Sequence, residues 1–339
     1  MKSILIIAFV VVGIGAACEP QVGAPISQVS GPAILAIKST PAEVNPTTGA
    51  AVAFEALAVD ASGRVPALDA DISAPMLWAV CNQSKPPTDN NSVSTACLDT
   101  SALPGVAGPS LTTYSAPMAT NACALFGPSV PPPVDGQPSI SPRAPDVTGG
   151  YYQPVRTELI VPPALDRVGM STADSLMAFQ MQRISCGLAN APGNISNIYN
   201  QEYQPNNNPV LTTLTVTPPG AAALDIPAAP TPGSPISVAS GQVIALTANW
   251  SPASVESYPV LNLLTQELET VLESMRVSWY VTGGSFEHDV TGQDEEGTPV
   301  QTSTPNTWTA GGAGLVHMWL VLHDARGGTD FASFDFSVQ

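Results

Sequence analysis

Charge is scarce in this 339-residue chain, where Asp, Glu, Lys and Arg together make up 11%. Positive charge is scarcer still: 10 Lys and Arg stand against 27 Asp and Glu, a formal net charge of −17. Such a surface repels phosphate backbones, which excludes nucleic-acid binding through a basic patch. Histidine is limited to His288, His317 and His323. No G-x-S-x-G elbow, H-E-x-x-H pair, Cys-His signature or Gly-rich phosphate loop occurs, so neither a nucleophile, a catalytic metal nor a nucleotide has sequence support. No C-x-x-C pair is present, which argues against a structural zinc site. What is abundant is apolar character, at 44% of residues, and proline, at 35 residues. The first excludes a chain disordered throughout. The second is about twice the usual share and favours strands and long loops over helices.

The first residues read "MKSILIIAFVVVGIGAAC". Lys2 precedes an apolar core, and the small residues Gly15, Ala16 and Ala17 follow it. This is the layout of an export signal. The core is too short for a permanent span, which needs ~20 apolar residues to cross ~30 Å of hydrocarbon. Small residues immediately before Cys18 resemble the bacterial lipobox, with Gly15 where Leu is usual and Ile14 one step earlier. That resemblance implies cleavage after Ala17 and a lipid on Cys18. It places the protein in the bacterial cell envelope, held to a membrane, and Glu19 is permissive for the outer membrane. An ordinary signal cleaved at the same point is the alternative. Residues 18–32 have no apolar period and are expected to form a flexible tether.

Cys81, Cys97, Cys123 and Cys186 remain, and an even number in an exported chain suggests two disulfides. Three pairings are possible. Proximity in the chain favours Cys81 with Cys97 and Cys123 with Cys186.

Beyond the tether, short strand-like runs alternate with proline- and glycine-rich turns. In "AVAFEALAVD" the residues Val52, Phe54, Ala56 and Ala58 share one face. "MLWAVC" is a strand whose Trp78 would sit in a core beside a disulfide. Residues 82–150 are mostly Pro-rich loop. "LTTLTVT" closes a first domain, 33–217, and the Pro/Ala-rich stretch 218–235 is read as a linker. Residues 236–339 form a second domain, with strands at "GQVIALTANW", "RVSWYVTGGSF" and "LVHMWLVLHDARGGTDFASFDFSV".

The second domain resembles bacterial immunoglobulin-like and PKD-type extracellular repeats. Trp279, Gly283-Gly284, Thr307-Trp308-Thr309-Ala310, and Asp324 with Gly327-Gly328 carry the likeness, and "TPAEVNPTTG" resembles the opening of the same fold in the first domain. The resemblance implies an all-β chain of two immunoglobulin-like β-sandwiches. One segment departs from that pattern. Residues 260–275 place Leu261, Leu264, Leu268, Val271, Leu272 and Met275 on one helical face, predicting an inserted helix whose apolar stripe could meet a partner.

Two further groups merit attention. Glu287, Asp289, Asp294, Glu295 and Glu296 crowd one loop with hard oxygens suited to Ca²⁺, although their spacing is not that of a twelve-residue calcium loop. No other cofactor is indicated. His317 and His323 share a strand face with Trp319 and Val321, while Met318, Leu320 and Leu322 occupy the other; the first face is expected at the surface. The functional expectation is a non-catalytic, lipid-anchored binding or adhesion module for an envelope protein or a glycan. The alternative is a structural or assembly component of an envelope complex.

Overall fold

The computed structural model describes residues 25–64, 76–84, 92–108, 110, 112–128, 146–160, 175–229, 231–293 and 300–339. Cys18, with the signal before it, lies outside the described residues, as do Asp294, Glu295 and Glu296.

The first half contains β1 (Ala33–Thr40), β2 (Glu43–Val44), β3 (Ala51–Asp60), β4 (Gly63–Arg64) and β5 (Leu77–Val80). These are followed by α1 (Thr95–Leu98), β6 (Val106–Ala107), β7 (Thr113–Pro117), α2 (Ala122–Phe126), β8 (Gly150–Ile160), β9 (Ser175–Ser185) and α3 (Gly193–Glu202). One sheet runs β1-β3-β4 with β7 also on β3, and the other runs β2-β9-β8-β5-β6. The bend after β2 is built by local chemistry. The Asn45 side chain accepts from the Thr47 amide, and Gly49 closes the turn at φ 65°, where a side chain would be strained. Val52, Phe54, Ala56 and Ala58 all enter the core between the sheets, as alternation requires. Trp78 lies at its centre, its ring 6.1 Å from Phe54 and 5.7 Å from Tyr114.

The second half contains β10 (Leu211–Thr217), β11 (Leu224–Pro227), β12 (Ile236–Val238), β13 (Val243–Trp250), β14 (Ser257–Asn262) and β15 (Glu267–Leu272). It continues with β16 (Met275–Val281), β17 (Ser285–Phe286), β18 (Val290–Gln293), β19 (Ser303–Thr309), β20 (Gly314–Asp324) and β21 (Thr329–Val338). The sheets run β11-β10-β13-β19-β17 and β12-β21-β20-β16-β18. Both halves trace one path. A first strand pairs antiparallel (β1 with β3, β10 with β13), and a short second strand pairs parallel with the last (β2 with β9, β12 with β21). Trp78 on β5 and Trp279 on β16 occupy matching central positions, both fully buried. Two-layer sandwiches with this strand order are immunoglobulin-like, and the chain is all-β with that fold used twice.

Five sequence expectations are corrected. The boundary moves: "LTTLTVT" is not the end of the first sandwich but β10, the first strand of the second. Residues 218–235 are not a linker, because Pro218, Pro219 and Gly220 turn β10 back into β11 within one sheet. The connection between sandwiches is instead 203–210.

Residues 260–275 are not a helix. They form most of the hairpin β14–β15 and the start of β16. Asn262 decides this: its side chain accepts from the amides of Leu264 and Thr265, and Gln266 takes φ 58°. A side chain that bonds its own turn outcompetes helix propagation. The expected stripe is therefore divided, with Leu261 2% exposed and Leu264 95% exposed at the hairpin tip. Leu268, Val271 and Leu272 are half-buried.

The tether is shorter than expected. Ser27 and Val29 are buried, and both bond the backbone of Val281 at the end of β16. Finally, Trp319 and Val321 do not face solvent, because the first sandwich covers them.

Candidate functional site: the junction between the sandwiches

The outer face of the β1–β3 sheet lies against the outer face of the β20–β21 sheet. Val29, Ala36, Leu57, Val59, Trp319, Val321 and Phe331 form a separate apolar core there. It explains two uninterrupted runs, "ALAV" at 56–59 and "MWLVL" at 318–322, whose residues are all buried. A strand covered on one face alternates; one covered on both does not. At the margin the Arg64 guanidinium sits 5.2 Å above the Phe331 ring, and Lys38 pairs with Asp330 at 2.7 Å. His317 is half-buried, 2.7 Å from Asp335 and stacked beside Trp319, rather than free at the surface.

The connecting segment "YQPNNNPV", 203–210, crosses the junction. Three successive asparagines tie it down. The Asn206 amide donates to Glu43 of β2 at 2.9 Å, while its side chain donates to Asp324 of β20 at 3.1 Å. Asn207 donates to Glu256 at 2.6 Å. Asn208 donates to the Ser39 carbonyl at 2.6 Å and accepts from the Thr329 amide at 2.9 Å. The Leu211 amide then donates to Asp330 at 2.9 Å.

Two buried ion pairs flank these contacts. In the first sandwich Arg183 Nε lies 3.1 Å from Glu43 Oε2, and Glu43 also accepts from Ser185 and Tyr203. Burial alone would raise the Glu43 carboxyl. Arg183, Tyr203, the Asn206 amide and Ser185 outweigh it and hold the carboxyl below its ordinary value. Burial pushes the Tyr203 phenol up to about 12, reinforced by the Glu43 charge. In the second sandwich Arg326 donates to Glu273, to Glu256 at 2.7 Å and to the Gln204 carbonyl of the connection at 3.1 Å. Its guanidinium stacks 4.5 Å above Tyr258 on β14. Glycine is required at two close approaches: a Cβ on Gly150 would come within 2.0 Å of the Arg183 guanidinium, and one on Gly328 within 2.1 Å of Asp324.

The hairpin β14–β15 belongs to this assembly. It projects from the second sandwich, and the Leu261 amide donates to the Val147 carbonyl of the first at 2.8 Å. Between hairpin and sandwiches lies a cleft of about 350 Å³, lined by Asp146, Thr148, Tyr152, Arg183, Tyr258 and Arg326 among others. Both guanidiniums on its wall are already bonded to carboxylates, carbonyls or hydroxyls, so the arrangement fixes geometry.

Cys81 pairs with Cys97, and Cys123 with Cys186. The first bond holds a loop over the outer face of β8–β9, where Val93, Cys97 and Leu103 pack near Phe179 and Met181. Arg156 reaches out from β8 to the carbonyls of Cys97 and Leu103. Of the acidic loop, Glu287 is exposed beside His288 at 3.9 Å, and the Asp289 backbone carbonyl accepts from the Trp279 amide within β16, continuing the pairing with β18. Among the described residues no group of three or more His, Cys, Asp or Glu is placed to hold a metal ion, and no helix is long and apolar enough to cross a membrane. The asparagines were missed from sequence, although Asn206-Asn207-Asn208 between Pro205 and Pro209 was a visible signal.

No family model and no curated protein matches this chain. Among solved structures it is similar to the D00-D0 domain of intimin, at 9% identity over 91% of this chain and 98% of that one, with a TM-score of 0.20. The D0-D1 domain of intimin aligns at 8% identity over 90% and 96%, TM-score 0.18. The fibronectin(III)-like modules of Clostridium thermocellum CbhA align at 10% identity over 90% and 94%, TM-score 0.20. The immunoglobulin-like assignment rests on the strand order and pairing described above.

Proposed function

We propose that this protein is a non-catalytic binding or adhesion module of the bacterial cell surface, lipid-anchored through Cys18, in which two immunoglobulin-like sandwiches act as one rigid block. The junction carries this reading. An apolar core, two buried ion pairs and a connection bonded to both sides leave no flexible joint, which suits a unit that holds its loops at a fixed distance from its anchor. A protein or glycan partner is the expected ligand class, and the outer membrane the expected location. The test is Cys18→Ser with fractionation: the variant is expected in the soluble fraction, and retention with membranes would refute the anchor.

The second reading, an assembly component of an envelope complex, is favoured by one observation. Leu263 and Leu264 are exposed together at the tip of a hairpin otherwise locked into the junction. Cross-linking in intact envelopes distinguishes the two. Leu264→Glu should abolish a specific cross-linked species on the second reading and leave the pattern unchanged on the first.

A further inference from the structure

Four carboxylates converge on the junction with two guanidiniums. Glu43 is matched by Arg183. On the other side Glu256, Glu273 and Asp324 surround Arg326 alone. Glu273 accepts from the Arg326 guanidinium and from the Ala325 amide at 3.0 Å. Asp324 accepts from the amides of Arg326 at 2.9 Å and Gly328 at 2.7 Å, and from Asn206 of the connection. Glu256 keeps partial contact with water, but the Glu273 side chain is 0% exposed and Asp324 is buried. Gln204 and Asn206 of the connection bond this cluster while the Asn206 amide holds Glu43 of the first sandwich, so the cover over the cluster is tied to docking. Among the described residues, two buried carboxylates beside one guanidinium leave a negative charge without a counterion. Binding a proton costs less than burying that charge.

We infer that Glu273 and Asp324 share one proton in the docked molecule, so that docking of the two sandwiches is coupled to proton uptake and weakens as pH rises toward neutrality. This inference rests on the reading of the junction as a rigid coupling and adds a regulator to it. Burial, the neighbouring carboxylate and the Arg326 charge together place the Glu273 carboxyl at about 7, and burial raises Asp324 as well. A carboxyl raised on docking stabilises the docked state fully below its ordinary value. That stabilisation is lost as pH climbs through the raised one.

The other charges facing the cluster fix the remaining signs. Glu43 is held low, so its contribution is lost only on acidification. His323, beside Asp324, is lowered to about 4 by burial and then by Arg276 on β16. It therefore opposes the carboxylate pair between about 4 and its ordinary value of 6.5. Arg183, Tyr203 and Tyr258 complete the surroundings.

The experiment is native-state hydrogen exchange of the full chain, following the amides of Asn206 and Leu261, which bond to Glu43 and Val147 of the first sandwich across the junction. Exchange is corrected for the intrinsic chemical rate. The wild type is compared with Glu273→Gln and with His323→Gln from about pH 5 to about pH 8. For one proton, the opening constant of the wild type relative to Glu273→Gln should rise about tenfold per pH unit up to about 7 and then level off. His323→Gln alone should open more readily as pH rises. A pH-independent ratio overturns the inference. So does a flat His323→Gln profile, which needs no Glu273 variant to fold. Amides unprotected at every pH would instead defeat the rigid junction itself.

Discussion

Asn206 donates in two directions, its backbone amide to Glu43 of one sandwich and its side chain to Asp324 of the other, and so this one residue sets the spacing of two buried acids. Its neighbours explain why the acids are tolerated. Glu43 has four donors around it, and Arg183 gives up its water to reach it. Removing one partner of such a pair leaves the other charged and buried without its counter-charge. Glu43→Ala is therefore expected to cost ~3–5 kcal/mol, far more than a surface ion pair at ~0–1. Urea unfolding checks it: a midpoint within error of wild type would show that Arg183 finds water, contrary to its 2% side-chain exposure. None of this was legible from sequence. Glu43 sits in "PAEVNP" as an ordinary turn acid, and Arg183 lies over a hundred residues away.

Strands were the most legible elements. The alternation of Val52, Phe54, Ala56 and Ala58 named a face, and that face is core. Trp78 was likewise expected and found at the centre of a sandwich. The helix at 260–275 failed because apolar residues at three- and four-residue spacing also fit two short strands once a turn intervenes, and Asn262 supplies the turn. The hairpin now makes a sharper prediction than a helix could. Leu264→Glu acts on a side chain in water and should change stability by no more than ~0.5 kcal/mol. Leu261→Ala empties a buried position and should cost ~2–5 kcal/mol. Thermal or urea unfolding of the two variants checks the contrast, and equal losses would contradict the hairpin.

At the scale of the whole molecule, the sequence spoke of two domains and the structure joins them into one block. Periodicity reports which face of a strand is apolar, but not what covers it. "ALAV" and "MWLVL" carried the missing information, since both faces of each run are apolar, yet partners 260 residues apart cannot be paired from one chain alone. The connection was misplaced for a related reason: Pro218, Pro219 and Gly220 make a hairpin turn from the residues expected of a linker. The central claim is that the sandwiches do not move independently. Backbone ¹⁵N relaxation of the full chain measures this directly. Amides in β3 and β8 and those in β13 and β20 should report one overall tumbling time, that of a single 34.8 kDa particle. Two distinct and shorter times, one for each sandwich, would contradict the account.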